Sequence, residues 1–134
     1  MDLSHVTKNN GNMTSRIAVL AIDAIDPRHV AEFWCAVLDW KVVEEDDGGI
    51  SISPDNGAWP TIDIFPVPER KTAKNRLHLD LRADGVTTAQ ELERLLDLGA
   101  SRVDVGQGRD VSWVVLGDPE GNEFCLLSRS VQDL

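Results

Sequence analysis

The chain has 134 residues, 42% of them apolar and 27% charged, which is the make-up of a globular domain large enough to bury one core. Its 13 Lys and Arg stand against 23 Asp and Glu, for a net charge of −10, and this argues against a nucleic-acid partner, which needs a basic face. No apolar run reaches the ~18 residues of a membrane-spanning helix.

Residues 1–15 hold no apolar segment of the kind a signal peptide needs, and they read as a disordered polar leader. Cys35 and Cys125 are far apart and form no CxxC pattern, so reduced thiols and a cytoplasmic location are expected. Arg16–Asp23 reads as the first strand. Asp26-Pro27 starts a helix that runs to about Leu38, with Val30, Phe33, Trp34, Val37 and Leu38 on one buried face. Strands follow at Trp40–Glu45, Ile50–Ser53 and Thr61–Val67, the first two joined by the hairpin signal Asp46-Asp47-Gly48-Gly49 and the last two by a turn over Pro54–Trp59. A polar linker over 68–75 leads to a strand at Arg76–Arg82. A helix then begins at Thr87 or Thr88 and stops at Gly99. Strands at Ser101–Gly106, Val111–Leu116 and Phe124–Arg129 close the chain, with turns at Gly106–Asp110 and over the run Asp118-Pro119-Glu120-Gly121-Asn122.

The chain repeats itself. A shift of 59 positions lays Ile17–Val43 over Arg76–Arg102 without a gap and pairs Val19 with His78, Ala21 with Asp80 and Asp23 with Arg82. Helix positions coincide as well: Val30 with Ala89, Phe33 with Leu92, Ala36 with Leu95, Val37 with Leu96. A unit of about fifty residues is too long for a solenoid repeat. The expected architecture is therefore a single α+β domain over 16–130 made of two βαβββ modules, one at 16–67 and the other at 76–129. The apolar edge of the first strand needs covering, which predicts a homodimer.

Paired βαβββ modules, the Asp-Pro helix start and the Asp118-Pro119-Glu120-Gly121-Asn122 turn before a last strand resemble the vicinal oxygen chelate superfamily. That group includes glyoxalase I, extradiol dioxygenases, and fosfomycin- and bleomycin-resistance proteins. The stretches KNRLHLDL, DVGQG and SWVVLGDPEGNEFCLL are similar to its glyoxalase-like domain subgroup. The resemblance implies a cupped mixed β-sheet around a small-molecule pocket. It also implies metal ligands on the first strand of each module and on a last strand. Those places hold Val19, His78 and Cys125, so two of the usual ligands are missing and no stoichiometric Mg²⁺, Mn²⁺ or Fe²⁺ is expected. Zinc is the more plausible divalent metal, with His78, Cys125 and Glu123 as its candidate ligands.

His78, Asp80 and Arg82 alternate with Leu77, Leu79 and Leu81. With the leucines on the helix layer, the three polar residues share the opposite face, which is the pocket side if the sheet curls. They offer a base, an acceptor and an anion clamp, or else a solvated face with its own ion pairs. His78 and Asp80 are the catalytic candidates. Asp23, Arg82, Trp113 and Cys125 are ligand-binding candidates, each with a structural alternative: Asp23 and Arg82 as an ion pair, Trp113 as core, Cys125 as a small buried residue. Trp59 is a candidate cover for the pocket mouth. The cluster Arg70, Lys71, Lys74 and Arg76 is either a solvated linker or a grip for an anionic ligand. Two functions compete: a binding protein that sequesters a small molecule, and a lyase, isomerase or dioxygenase-like enzyme that uses His78.

Overall fold

The computed structural model describes residues 13–55, 60–103 and 113–134. In chain order its elements are β1 (Val19–Ala24), α1 (Pro27–Leu38), β2 (Lys41–Asp46), β3 (Gly49–Ser53), β4 (Thr61–Pro66), β5 (Leu79–Leu81), α2 (Thr88–Asp97), β6 (Ser101–Arg102), β7 (Trp113–Gly117) and β8 (Glu123–Leu127). A short 3₁₀ turn, Val131–Asp133, occupies the expected tail. Residues 1–12 of the leader, the end of the Pro54–Trp59 turn with Trp59 itself, and the Gly106–Asp110 turn with its flanking strand ends lie outside the described residues.

Both modules make the same sheet. The orders are β1-β4-β3-β2 and β5-β8-β7-β6, each with one parallel pair, β1 with β4 and β5 with β8, and the rest antiparallel. Strand for strand this is the duplication read from the 59-residue shift. The expected mixed sheet of two modules is built, among the described residues, as two four-stranded sheets, with β1 and β5 each at one edge of its own.

The helices start and stop where their residues dictate. The Asp26 side chain accepts from His29 N at 3.2 Å and Pro27 fills the first helical position; Asp39, at φ 55°, ends α1 in the left-handed region. In α2, Thr87 and Gln90 form a reciprocal capping box, and Gly99 at φ 116° follows the last turn. The buried face of α1 is Val30, Ala31, Phe33, Trp34 and Val37, as its spacing predicts. The helix-to-helix equivalence is looser. Ala36 and Ala89 are both exposed, because α2 begins later in its repeat than α1 does and buries Glu91 and Leu95 instead.

The modules meet through their helix sides. Trp34 and Phe33 of α1 pack on Phe124 of β8, with ring centroids 5.0 and 6.0 Å apart. Arg94 of α2 bonds Glu91 at 2.7 Å and donates to the last carbonyls of α1, Ala36 O at 3.1 Å and Val37 O at 2.9 Å, where a cation also suits the helix dipole. The turn after β7 is the second tie. Asp118 is buried and accepts from Trp34 Nε1 at 3.1 Å and from Glu120 N, Asn122 N and Asn122 Nδ2 at 2.9 Å each. The Glu120 carboxylate accepts from the backbone N–H of Ile25 and Asp26, both at 2.7 Å, at the entrance to α1. The turn that carries the family resemblance is thus a clasp between modules.

Candidate functional site

A cleft of about 860 Å³ opens between the free edge of β1 and the chain that leads into β5. One wall is Val19–Asp23, and the facing wall is the linker, including Arg70, Lys71 and Arg76, continuing to His78. Glu120, Asn122 and Glu123 of the clasp form the end between them.

The linker is held in place as a wall. Asn75 Nδ2 donates to Asn122 Oδ1 at 2.9 Å, and Lys71 Nζ reaches both carboxylate oxygens of Glu123, at 3.3 and 3.2 Å. The closer approach, to Oε2, lacks hydrogen-bond geometry, so that buried oxygen is compensated by charge alone. Burial pushes the Glu123 carboxyl up, but its backbone hydrogen bond, Lys71 and Lys74 outweigh this and hold it below the usual carboxylate range. A carboxyl with a depressed folded pKa contributes stability that is complete above its unfolded pKa and is lost as pH falls through the folded value. Lys71→Met is therefore expected to destabilise the protein at neutral pH and to shrink the gain in stability between about pH 3 and 5. Urea unfolding across that range checks this, and unchanged acid sensitivity in Lys71→Met would contradict it.

β5 is shorter than Arg76–Arg82. The register places Leu79 beside Phe124, so Leu77 falls opposite Asn122, whose N–H and C=O are both taken by Asp118. Without a ladder partner the chain leaves the sheet, and Leu77 is 90% exposed instead of facing the helix layer. Leu79 and Leu81 do pack on the core. Asp80 lies opposite Cys125, and Cys125 opposite Val115, so these three share the face of their sheet that points away from the core packed on Leu79 and Leu81.

On that face His78 Nδ1 and Asp80 Oδ1 are 2.9 Å apart, both side chains a little under half exposed, at 43% and 45%. Ligand atoms of His78, Asp80 and Cys125 lie within 4.8 Å of one another. Asp80, not Glu123, is the acidic member of this group, because Glu123 is engaged by Lys71. The Cys125 thiol is pushed up by burial and then by Asp80 as charge and hydrogen-bond partner, with only Lys74 opposing. Burial and Glu32 push Cys35 the same way. Both are thiols at neutral pH, which speaks against Cys125 as an unassisted nucleophile.

The remaining candidates are spread out. Asp23 lines the cleft on the wall facing His78. Arg82 does not pair with it: its Nη1 donates to Arg129 O at 2.9 Å, at the far end of the sheet. Trp113 is exposed on β7, opposite Leu127, one row beyond Cys125. Trp34 is core and inter-module packing, as expected. The linker's part in the cleft was signalled only by its basic cluster in an acidic chain.

Two duplicated modules, clasped through their helices and flanking a cleft with a polar strand at its rim, define a paired-module pocket protein. The chain belongs to the Glyoxalase-like domain family, whose model matches residues 19–127, and with it to the vicinal oxygen chelate superfamily. Solved structures share the fold. The fosfomycin resistance protein FosX from Mesorhizobium loti is 15% identical, with 90% of this chain and 96% of that one covered and a TM-score of 0.65. A mutant FosX from Listeria monocytogenes, complexed with Mn(II) and 1S,2S-dihydroxypropylphosphonic acid, is 12% identical over 90% and 97%, with a TM-score of 0.66. A glyoxalase/bleomycin resistance protein/dioxygenase family enzyme from Burkholderia phytofirmans is 17% identical over 84% and 97%, with a TM-score of 0.59. No curated protein matches the chain in sequence.

Proposed function

We propose that this is a small-molecule-binding protein that takes an oxygenated ligand in the cleft between its modules, with His78 as the residue that meets it. The observation that supports this reading most is the tie of His78 Nδ1 to Asp80 at 2.9 Å at the rim of the cleft. A carboxylate on one ring nitrogen fixes the ring and leaves Nε2 for a ligand. The same dyad favours a second reading, an enzyme of the lyase or isomerase type with His78 as general base and Asp80 as its positioning partner.

The donor set of His78, Asp80 and Cys125 joins nitrogen, oxygen and sulfur, which suits zinc better than Mg²⁺ or Mn²⁺. Bound there, zinc would supply a Lewis acid for a ligand oxygen. On that face His78, Asp80 and Trp113 are exposed, while Cys125 and Val115 are buried. We propose a homodimer in which a second copy covers the exposed part, with a cytoplasmic location for the protein. No helix among the described residues is long and apolar enough to cross a membrane. Light scattering at about 100 μM, well above a micromolar dissociation constant, should give twice the 14.8 kDa chain mass, and a monomer would refute the dimer.

A thermal-shift screen of small oxygenated metabolites tests the function. The hits should stabilise the native protein and lose their effect in His78→Ala while that variant's own melting stays put. Arg82→Ala should only lower melting, since Arg82 holds Arg129. If His78→Ala binds every hit unchanged, the reading fails. Turnover of any hit, lost in both His78→Ala and Asp80→Asn, would decide for the enzyme.

A further inference from the structure

The linker brings four of the chain's 13 Lys and Arg, namely Arg70, Lys71, Lys74 and Arg76, into seven residues of a protein with net charge −10. Lys71 is half-buried, and Arg70, Lys74 and Arg76 are exposed. Arg70, Lys71 and Arg76 line the cleft, and Lys74 sits close enough to act on Glu123 and Cys125. Lys71 is committed to Glu123, and that bond, with Asn75 on Asn122, pins the strap to the clasp. Arg70 and Arg76 make no ion pair or side-chain hydrogen bond among the described residues.

The carboxylates nearby do not neutralise them. Glu120 is held by the N–H groups of Ile25 and Asp26, and Glu123 by Lys71. Asp23 on the facing wall and Glu69 beside Arg70 remain, against Arg70, Arg76 and Lys74. In an acidic chain, two arginines left unpaired on one wall of a cleft present forked N–H donors that match a carboxylate or phosphoryl oxyanion. The facing wall supplies Val19, Leu20 and Ile22, an apolar surface for the rest of such a molecule.

We propose that the strap is an oxyanion subsite: the ligand carries an anionic head, gripped by Arg70 and Arg76, and an apolar or oxygenated body that lies along β1 toward His78. This rests on the cleft being the ligand site, but it adds the ligand's charge and the residues that select it. Arg76 stands two residues before His78, so the head and the chemical end are reached by one short molecule.

The test uses phenylphosphonate and benzoate as anionic probes and benzyl alcohol as the neutral one, titrated by calorimetry or NMR into the full chain. Both anions should bind, more weakly as salt rises. Arg70→Gln and Arg76→Gln should each weaken them about tenfold, and the double variant more, with benzyl alcohol unaffected. Arg102→Gln, which removes an exposed charge elsewhere, should leave all probes unchanged. Melting temperatures of the variants should match the native value, since neither arginine holds the fold. Phosphonate binding without benzoate binding would narrow the head to a phosphoryl group. The proposal is overturned if neither anion binds at millimolar concentration, if the double variant binds both as the native protein does, or if Arg102→Gln weakens them equally. Loss of anion binding in the arginine variants with none in His78→Ala would uphold the strap and refute the role given to His78.

Discussion

Asp118→Ala should lose about 3 kcal/mol of stability, read as a fall in melting temperature of about 10 °C. The carboxylate is buried and satisfies four donors, three in its own turn and Trp34 Nε1 in the other module. Removing it orphans a buried indole N–H beside Phe124 and frees the turn that presents Glu120 to the start of α1. Asp118→Asn should fall between, because it keeps one acceptor but turns an amide toward donors. Urea unfolding of both variants measures this. A loss below about 1 kcal/mol in Asp118→Ala would mean that the modules hold together without the clasp.

Zinc or Co²⁺ titrated into metal-free protein should bind at one per chain, and the Co²⁺ form should show a sulfur-to-metal charge-transfer band. Cys125→Ser should abolish the band, and His78→Ala should weaken binding by about 100-fold or more. The Cys125 thiol must release its proton on binding, against burial and the Asp80 charge, so affinity should rise steeply with pH. Binding by Mg²⁺ or Mn²⁺ as tight as by zinc, or a Co²⁺ spectrum unaltered in Cys125→Ser, would overturn this assignment.

Much of the fold was legible from the residues. The Asp26-Pro27 start, the start at Thr87 or Thr88 and Gly99 mark helix ends by local chemistry, and local chemistry is written in sequence. Strand boundaries were less so. β5 ends up with three residues where seven alternate, because its length depends on whether β8 has free backbone groups beside it. The clasp spends those groups, and no periodicity reports that. Arg82 shows a related limit: alternation assigns it to a face but not to a partner, and its partner is the carbonyl of Arg129.

The sequence by itself determined the duplicated topology, the ends of the helices and the buried stripe of α1. Each follows from spacing within a single element or from the repeat. Only the tertiary structure decided how the two modules are joined and what lies between them. That outcome turns on contacts between residues far apart in the chain, Trp34 with Asp118 and Glu120 with the entrance to α1. Those contacts tie the first helix and its entrance to the turn before β8, beside the basic linker that lines the cleft. Long-range packing of this kind depends on shape and on which buried donors find acceptors, and neither quantity is periodic along a chain.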